Sequence, residues 1–324
     1  MKKSEYISPS KALYSNLCEE KYIPIHGQSW WLDVVCGADN WGVVLAFDRY
    51  KNIIGALPYT KNRRLGLSMI RMPILTSYLP IFLDYPDSEK KHQRYSFERK
   101  ILTELTRQLP KVSIFDQNYS SALTNWLPFY WSGFKQSTRY TYILEDLKDV
   151  SFVYKELESS VRGKIRKAEQ ALIEVVTDEN VVGFYEVVQK TFQKQGRIPP
   201  FSLNVLKQLD NVLKTRDRRK IYFAKDKNGD IHAAGYVVWD ERRAYYLASG
   251  TDSKFRKSGA HYLLLWTVIK DCLKTVESFD FEGSMLPQVE NVFRSFGATQ
   301  VPYFRIYKTG NRILSSILTF VGKL

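Results

Sequence analysis

Cysteine is scarce in this chain. Cys18, Cys36 and Cys272 are the three among 324 residues, far apart and without a CxxC pair. That spacing offers neither a disulfide framework nor a zinc ligand set, and four scattered histidines add none, so no metal is expected. Long apolar runs are also missing. The longest uncharged apolar stretch, Met72 to Leu83, is interrupted by Pro73 and Pro80 and falls short of the ~20 residues that span a bilayer. The opening Met1-Lys2-Lys3-Ser4-Glu5-Tyr6 runs into polar residues instead of an apolar signal core. The expected location is the cytoplasm, with attachment to the inner membrane face left open. Acidic residues are outnumbered, 34 Asp and Glu against 48 Lys and Arg, for a net charge of +14. Such a cation favours anionic partners, among them phosphates, nucleotides, RNA and lipid head groups. What remains, 44% hydrophobic with 12 prolines and 17 glycines, excludes collagen-like, low-complexity and wholly disordered chains.

The length exceeds what one core fills, so two domains of roughly 150 residues are expected. The boundaries are read as 1–148, 149–310 and a short amphipathic tail, 311–324. In the first half the pattern predicts strands at Trp41–Phe47 and Ile53–Tyr59, and a helix at Ser96–Leu109 stopped by Pro110. A helix at Ser121–Trp131 and a strand at Arg139–Leu144 follow. The second half predicts one long helix, Val150–Leu172, and helices at Asn180–Lys194 and Ser202–Lys214. Strands at Lys220–Ala224, Ile231–Trp239 and Ala244–Ser249 come next, then a helix at His261–Lys274, a strand at Phe279–Glu282, a helix at Pro287–Phe296 and a strand at Tyr303–Lys308. The halves share an order of elements. Ile54–Tyr59 parallels Ile231–Tyr236, Ser113–Asp116 parallels Ser278–Phe281, and Tyr130-Trp131-Ser132 parallels Phe293-Arg294-Ser295. Two copies of one α/β unit, each a mixed and mostly antiparallel sheet flanked by helices, are therefore expected.

The strand Tyr245–Ser249 leads through Gly250-Thr251-Asp252 to Arg256-Lys257-Ser258-Gly259-Ala260-His261 and a helix. A basic, glycine-containing turn that opens a helix aims free N–H groups and the positive helix end at one anion site. The same residues also suit an ordinary solvated loop-to-helix junction. Asp280 and Glu282 alternate with phenylalanines, so both are expected on one strand face. There they either face a cleft, where one deprotonates an amine, or meet Arg and Lys in ion pairs. Arg162 and Arg166, at i and i+4, form a helical face suited to a diphosphate or an RNA backbone, or else a solvated one. Gln195, in a proline-ended loop, is placed to bond a peptide or sugar amide. Tyr246, Ser249 and Asp252 lie at or beyond the end of a strand, where α/β sites often gather.

The turn resembles the pyrophosphate turn of the GNAT acyltransferases, Arg/Gln-x-x-Gly-x-Gly/Ala: Arg256 and Gly259 fit, and His261 stands where a small residue is usual. Together with Trp30-Trp31, Gly55–Tyr59, Arg162-x-x-Ile165-x-x-Ala168, Leu263–Trp266 and Phe281-Glu282-Gly283-Ser284, it resembles the Fem-like branch of that superfamily over about residues 25–308. The resemblance implies tandem GNAT-like units and transfer of an acyl group to an amine of a cell-envelope precursor, a peptide or amino sugar. The donor it implies is acetyl-CoA or aminoacyl-tRNA. With no Cys/His pair or Ser-His-Asp signature beside these residues, direct attack is expected. Asp280 or Glu282 would serve the acceptor amine, and Ser249 or Ser284 would contact the oxyanion or acceptor. Arg256 with Lys257, Ser258, Gly259 and Ala260 would hold donor phosphates. Arg162 is carried over as a phosphate contact of the acceptor, with Arg166, Gln195, Tyr246 and Asp252 around it. The alternative is a noncatalytic protein of the same fold that binds tRNA or a precursor.

Overall fold

The computed structural model describes residues 8–87, 90–145, 149–283 and 285–310. The amphipathic tail expected at 311–324 lies outside them. The chain forms two compact units, residues 8–139 with 302–310 and residues 140–301. The first division thus falls before position 148, and the last strand returns to the first unit.

Unit 1 begins with α1 (Pro9–Glu20), where Ser8 caps the Lys11 N–H and Pro9 occupies the first turn. In α2 (Ser29–Cys36), Trp31 is buried and its indole N–H donates to Thr76 at 3.0 Å. Strands β1 (Trp41–Phe47) and β2 (Ile53–Thr60) form an antiparallel hairpin. A second hairpin, β3 (Asn62–Arg64) and β4 (Leu67–Arg71), follows, then β5 (Phe82–Leu83) on the edge of β2. Helix α3 (Lys91–Gln108) buries Ile101, Leu102 and Leu105 and leads to β6 (Ile114–Tyr119), which runs parallel to β4. The helix expected over 121–131 is confined to α4 (Leu127–Trp131). Pro128 sits in its first turn, the one helical place where a missing N–H and a fixed φ cost nothing. Strand β7 (Lys135–Leu144) then carries the chain into unit 2.

The long helix expected over 150–172 is two, α5 (Val150–Glu156) and α6 (Ser159–Gln170). Leu157 is extended and buried, and Arg162 Nη1 donates to the carbonyls of Tyr154, Lys155 and Leu157. A cation on the orphaned carbonyls of a helix end stabilises the break. Then come β8 (Glu174–Thr177), α7 (Val181–Gln193), α8 (Leu203–Thr215), β9 (Arg219–Lys225), β10 (Ile231–Trp239), β11 (Arg243–Thr251), α9 (Ala260–Cys272), β12 (Ser278–Asp280), α10 (Pro287–Arg294) and β13 (Thr299–Thr309). The sheet of unit 2 runs from residues 143–144 of β7 through β12, β11, β10 and β9 to β8. Neighbours are antiparallel except β11 and β12, which are parallel and joined through α9. The core on the α9 side gathers Tyr222, Tyr246, Leu264, Trp266, Phe279 and Phe281. Trp266 is thus a core residue, as its apolar helical neighbours suggest.

Beyond Pro302 the chain returns to unit 1, where β13 pairs antiparallel with β6, Phe304 opposite Tyr119. The two units repeat one plan: an antiparallel hairpin, a strand, a helix, a parallel strand and a short helix. Strand β2 corresponds to β10, β6 to β12, and α4 to α10.

Candidate functional site

The opening in unit 2 follows from unequal strand lengths. The parallel pairing of β11 with β12 runs from Arg243 opposite Ser278 to Tyr245 opposite Asp280. There β12 ends, while β11 continues to Thr251. Among the described residues no strand pairs with this stretch on the side away from β10. Strand β11 also carries an extra residue, because Tyr236 faces Ala248 while Val238 faces Tyr245. Such a bulge re-aims side chains. It puts Tyr246 and Ser249 on the α9 side, with the Tyr246 ring across Gly235, which stands opposite Ser249. Thr251 turns its N–H away from β10, toward Thr191 Oγ1 at 2.8 Å, whereas the next residue, Asp252, donates to the His232 carbonyl of β10. By the two-residue repeat, the Ser249 N–H also faces the open side. A backbone N–H fixed at a sheet opening can stabilise a developing oxyanion.

The two carboxylates do not share a strand face. Asp280 ends β12, and Glu282 lies beyond it at a left-handed φ of +59°, followed by Gly283 at +61°. Fully buried Asp280 accepts from the Thr141 hydroxyl at 2.5 Å and the Glu282 N–H at 2.7 Å, with Arg243 Nη1 at 3.9 Å. These contacts make it the clamp that shapes the turn. A side chain at Gly283 would collide with the Tyr140 carbonyl, so β7 forms the floor of that turn. Glu282 retains 8% exposure past the last β11–β12 pair. Nearby on β7, Tyr142 donates to Glu290 of α10 at 2.6 Å and accepts from Gln300 at 2.6 Å. Burial, then the Glu290 carboxylate, pushes the Tyr142 hydroxyl above its ordinary range. Ser284 lies outside the described residues.

The basic turn precedes α9. Asp252 accepts from the Lys254 N–H at 2.9 Å and pairs with Lys190 of α7 at 2.8 Å, an interaction that holds its carboxyl below the usual range. Asp252 therefore ties the turn to α7. Arg256 and Lys257 are exposed, and Ser258 Oγ accepts from the Ala260 N–H at 3.2 Å. Gly259 is left-handed, φ +82°, and an added Cβ would lie 2.2 Å from the Lys164 carbonyl of α6. Glycine is required here by the backbone and by the neighbouring helix. Gly259→Ala is expected to destabilise the protein by about 2–4 kcal/mol, from left-handed strain and overpacking together. Urea unfolding would check this, and a change under about 0.5 kcal/mol, ordinary for a surface site, would refute it.

His261 sits in the first turn of α9, its ring edge-on to Tyr262 and 6.5 Å from that of Tyr246. Desolvation lowers its pKa to about 4, so it is neutral at pH 7. The large residue that stands in a small residue's place is thus turned toward Tyr246. Buried Tyr246 also has its hydroxyl raised, by desolvation.

The remaining expected residues lie on α6 and just after α7. Arg162 is engaged on the end of α5. Arg166 is an exposed residue of α6, and Gln195 an exposed one just after α7. The structure adds Thr141, Thr191 and Arg243, which hold the site's backbone and Asp280. No local motif marks these three, because each acts across a strand or helix brought in from a distant segment. Among the described residues no group of three or more His, Cys, Asp or Glu could hold a metal ion.

Residues 155–287, from the end of α5 to the first residue of α10, match the family described as the acetyltransferase (GNAT) domain. The opening between β11 and β12 lies inside this matched segment. Over nearly its whole length the chain also has the fold of FemX, with 12% identity, a TM-score of 0.65, and 95% of this chain and 97% of that one covered. L-PGS from Bacillus licheniformis is similar as well, with 12% identity, a TM-score of 0.57, and coverage of 98% and 97%. So is the C-terminal domain of a putative lysylphosphatidylglycerol synthetase from Agrobacterium fabrum, with 10% identity, a TM-score of 0.55, and coverage of 96% and 95%. No curated protein matches the chain.

Proposed function

We propose that unit 2 transfers an acyl group from a phosphate-bearing carrier, acetyl-CoA or an aminoacyl-tRNA, to an amine of a cell-envelope precursor, a peptide or an amino sugar. One observation carries the reading: β11 outruns its parallel partner β12, which opens the sheet beside Ser249, Tyr246 and Glu282. The exposed Arg256 and Lys257, ahead of α9, supply cations for carrier phosphates. The acceptor amine gives its proton to Glu282 and attacks the carbonyl. The negative charge that forms on the carbonyl oxygen is met by the Ser249 N–H. As the tetrahedral centre collapses, the C–S or C–O bond to the carrier breaks, and the proton taken up by Glu282 passes to the departing sulfur or ribose oxygen, directly or through solvent. Asp280 keeps the Glu282 turn in place through Thr141 and the Glu282 N–H. The resemblance to Fem-like proteins, and the lysylphosphatidylglycerol synthetase among the similar structures, both support an envelope acceptor. A cytoplasmic enzyme working against the inner membrane face fits such an acceptor.

The test is incubation of the full chain with acetyl-CoA and, separately, with charged tRNA, each with amino-sugar and peptide acceptors, followed by mass analysis. A product heavier by one acyl group in either arm is expected. Steeply salt-dependent tRNA binding without product in either arm would instead establish a noncatalytic binding protein.

A further inference from the structure

The β3–β4 hairpin of unit 1 runs against its own turn chemistry. Arg64 pairs with Leu67, leaving the two-residue loop Leu65-Gly66, with φ values of +49° and +78°. Two positive φ values describe a type I′ turn, which takes Asn, Asp or Gly at its first position. A leucine there bears the steric cost of left-handed backbone. Yet Leu65 is 92% exposed, so no packing among the described residues offsets that cost. Lys61, Arg63 and Arg64 beside it are exposed, and residues 61–71 contain no acid. Behind the hairpin lie two grooves of about 340 and 900 Å³ that share Ser68, Pro110 and Lys111. Their walls carry further cations, Arg107 and Lys308 among them, and no Asp or Glu among the described residues.

We propose that this face of unit 1 docks on an anionic lipid bilayer, with Leu65 entering the acyl boundary and Lys61, Arg63, Arg64 and Lys111 meeting the head groups. An exposed apolar side chain ringed by cations suits the two parts of that interface. Single-stranded RNA would attract the same cations, but such sites stack bases on exposed aromatic rings, and the hairpin tip is aliphatic. The proposal locates the membrane contact named in the reading above and rests on it only in that respect.

Cosedimentation of the full chain with vesicles tests it, using phosphatidylcholine alone or with about one-third phosphatidylglycerol. The expected result is binding to the mixed vesicles, with little to the neutral ones. Leu65→Asn, which suits the turn, should weaken binding about tenfold or more while the thermal midpoint stays level or rises. Arg63→Gln with Arg64→Gln should weaken it about 25-fold. Absence of binding to the mixed vesicles would overturn the proposal, as would binding that Leu65→Asn leaves unchanged. So would tRNA binding that is lost in the double variant but kept in Leu65→Asn, when vesicles do not bind. Sedimentation reads no chemistry, so failure of acyl transfer and failure of docking are separate results.

Discussion

Glu282→Gln is expected to lower acyl-transfer turnover by about 10²- to 10⁴-fold, the usual contribution of a positioned general base. Gln preserves size and the φ of +59° that Glu282 adopts, so donor binding and the thermal midpoint should change little. Asp280→Asn should behave differently. It weakens a carboxylate that accepts from Thr141 and from the Glu282 N–H and lies near Arg243. Stability should therefore fall together with turnover. Single-turnover measurements over a pH range, with thermal unfolding of each variant, separate the two effects. Unchanged turnover in Glu282→Gln would remove that carboxylate from the chemistry. The opening between β11 and β12 would then serve binding alone, or leave deprotonation of the amine to solvent.

Arg219→Met is expected to cost about 3–5 kcal/mol of stability, the usual loss when one partner of a buried ion pair is removed. Arg219 Nε lies 3.0 Å from Asp210 Oδ1, and the two side chains are 4% and 7% exposed. The same guanidinium bonds Glu179 at 2.8 and 2.5 Å, and Tyr236 donates to Asp210 at 2.7 Å. The variant leaves Asp210 buried beside Tyr236, a residue of β10, without its cation. Glu179, bonded to Arg219 and Lys214, has its pKa lowered to about 2, below the ~4.3 of an unperturbed glutamate. Its contribution is therefore present above about pH 5 and lost as the pH falls toward about 2. Urea unfolding at pH 7 and at pH 3 would check both points. Arg219→Met should lose most at pH 7 and show a shallower acid decline than the wild type. A loss under about 1 kcal/mol at pH 7, typical of an exposed pair, would mean that the pair adds no more than a surface one.

Much of the fold was legible because its signals are local. The short, nearly continuous apolar runs Trp41–Phe47 and Ile231–Trp239, the helical period of Ile101, Leu102 and Leu105, and the stop at Pro110 each act within a few residues. The repeat of the α/β unit was visible in the order of those elements. The break between α5 and α6 was not, since the apolar stripe Val161, Ile165 and Ala168 gives no sign that Leu157 turns inward. The strand-face expectation for Asp280 and Glu282 failed for a similar reason. Alternation predicts one face, but the Thr141 hydroxyl and the Glu282 N–H draw the backbone into a left-handed turn after Asp280.

By itself the sequence determined the class of elements, the surplus of positive charge, and the glycine-containing basic turn ahead of α9, because propensity, charge and φ preference belong to single residues and near neighbours. Tertiary structure alone decided where β12 stops beside β11, that Gly259 must yield space to α6, and that Arg162 closes the end of α5. Those outcomes depend on pairing register and on close approach between segments far apart in the chain, and neither quantity is written in any short stretch of residues.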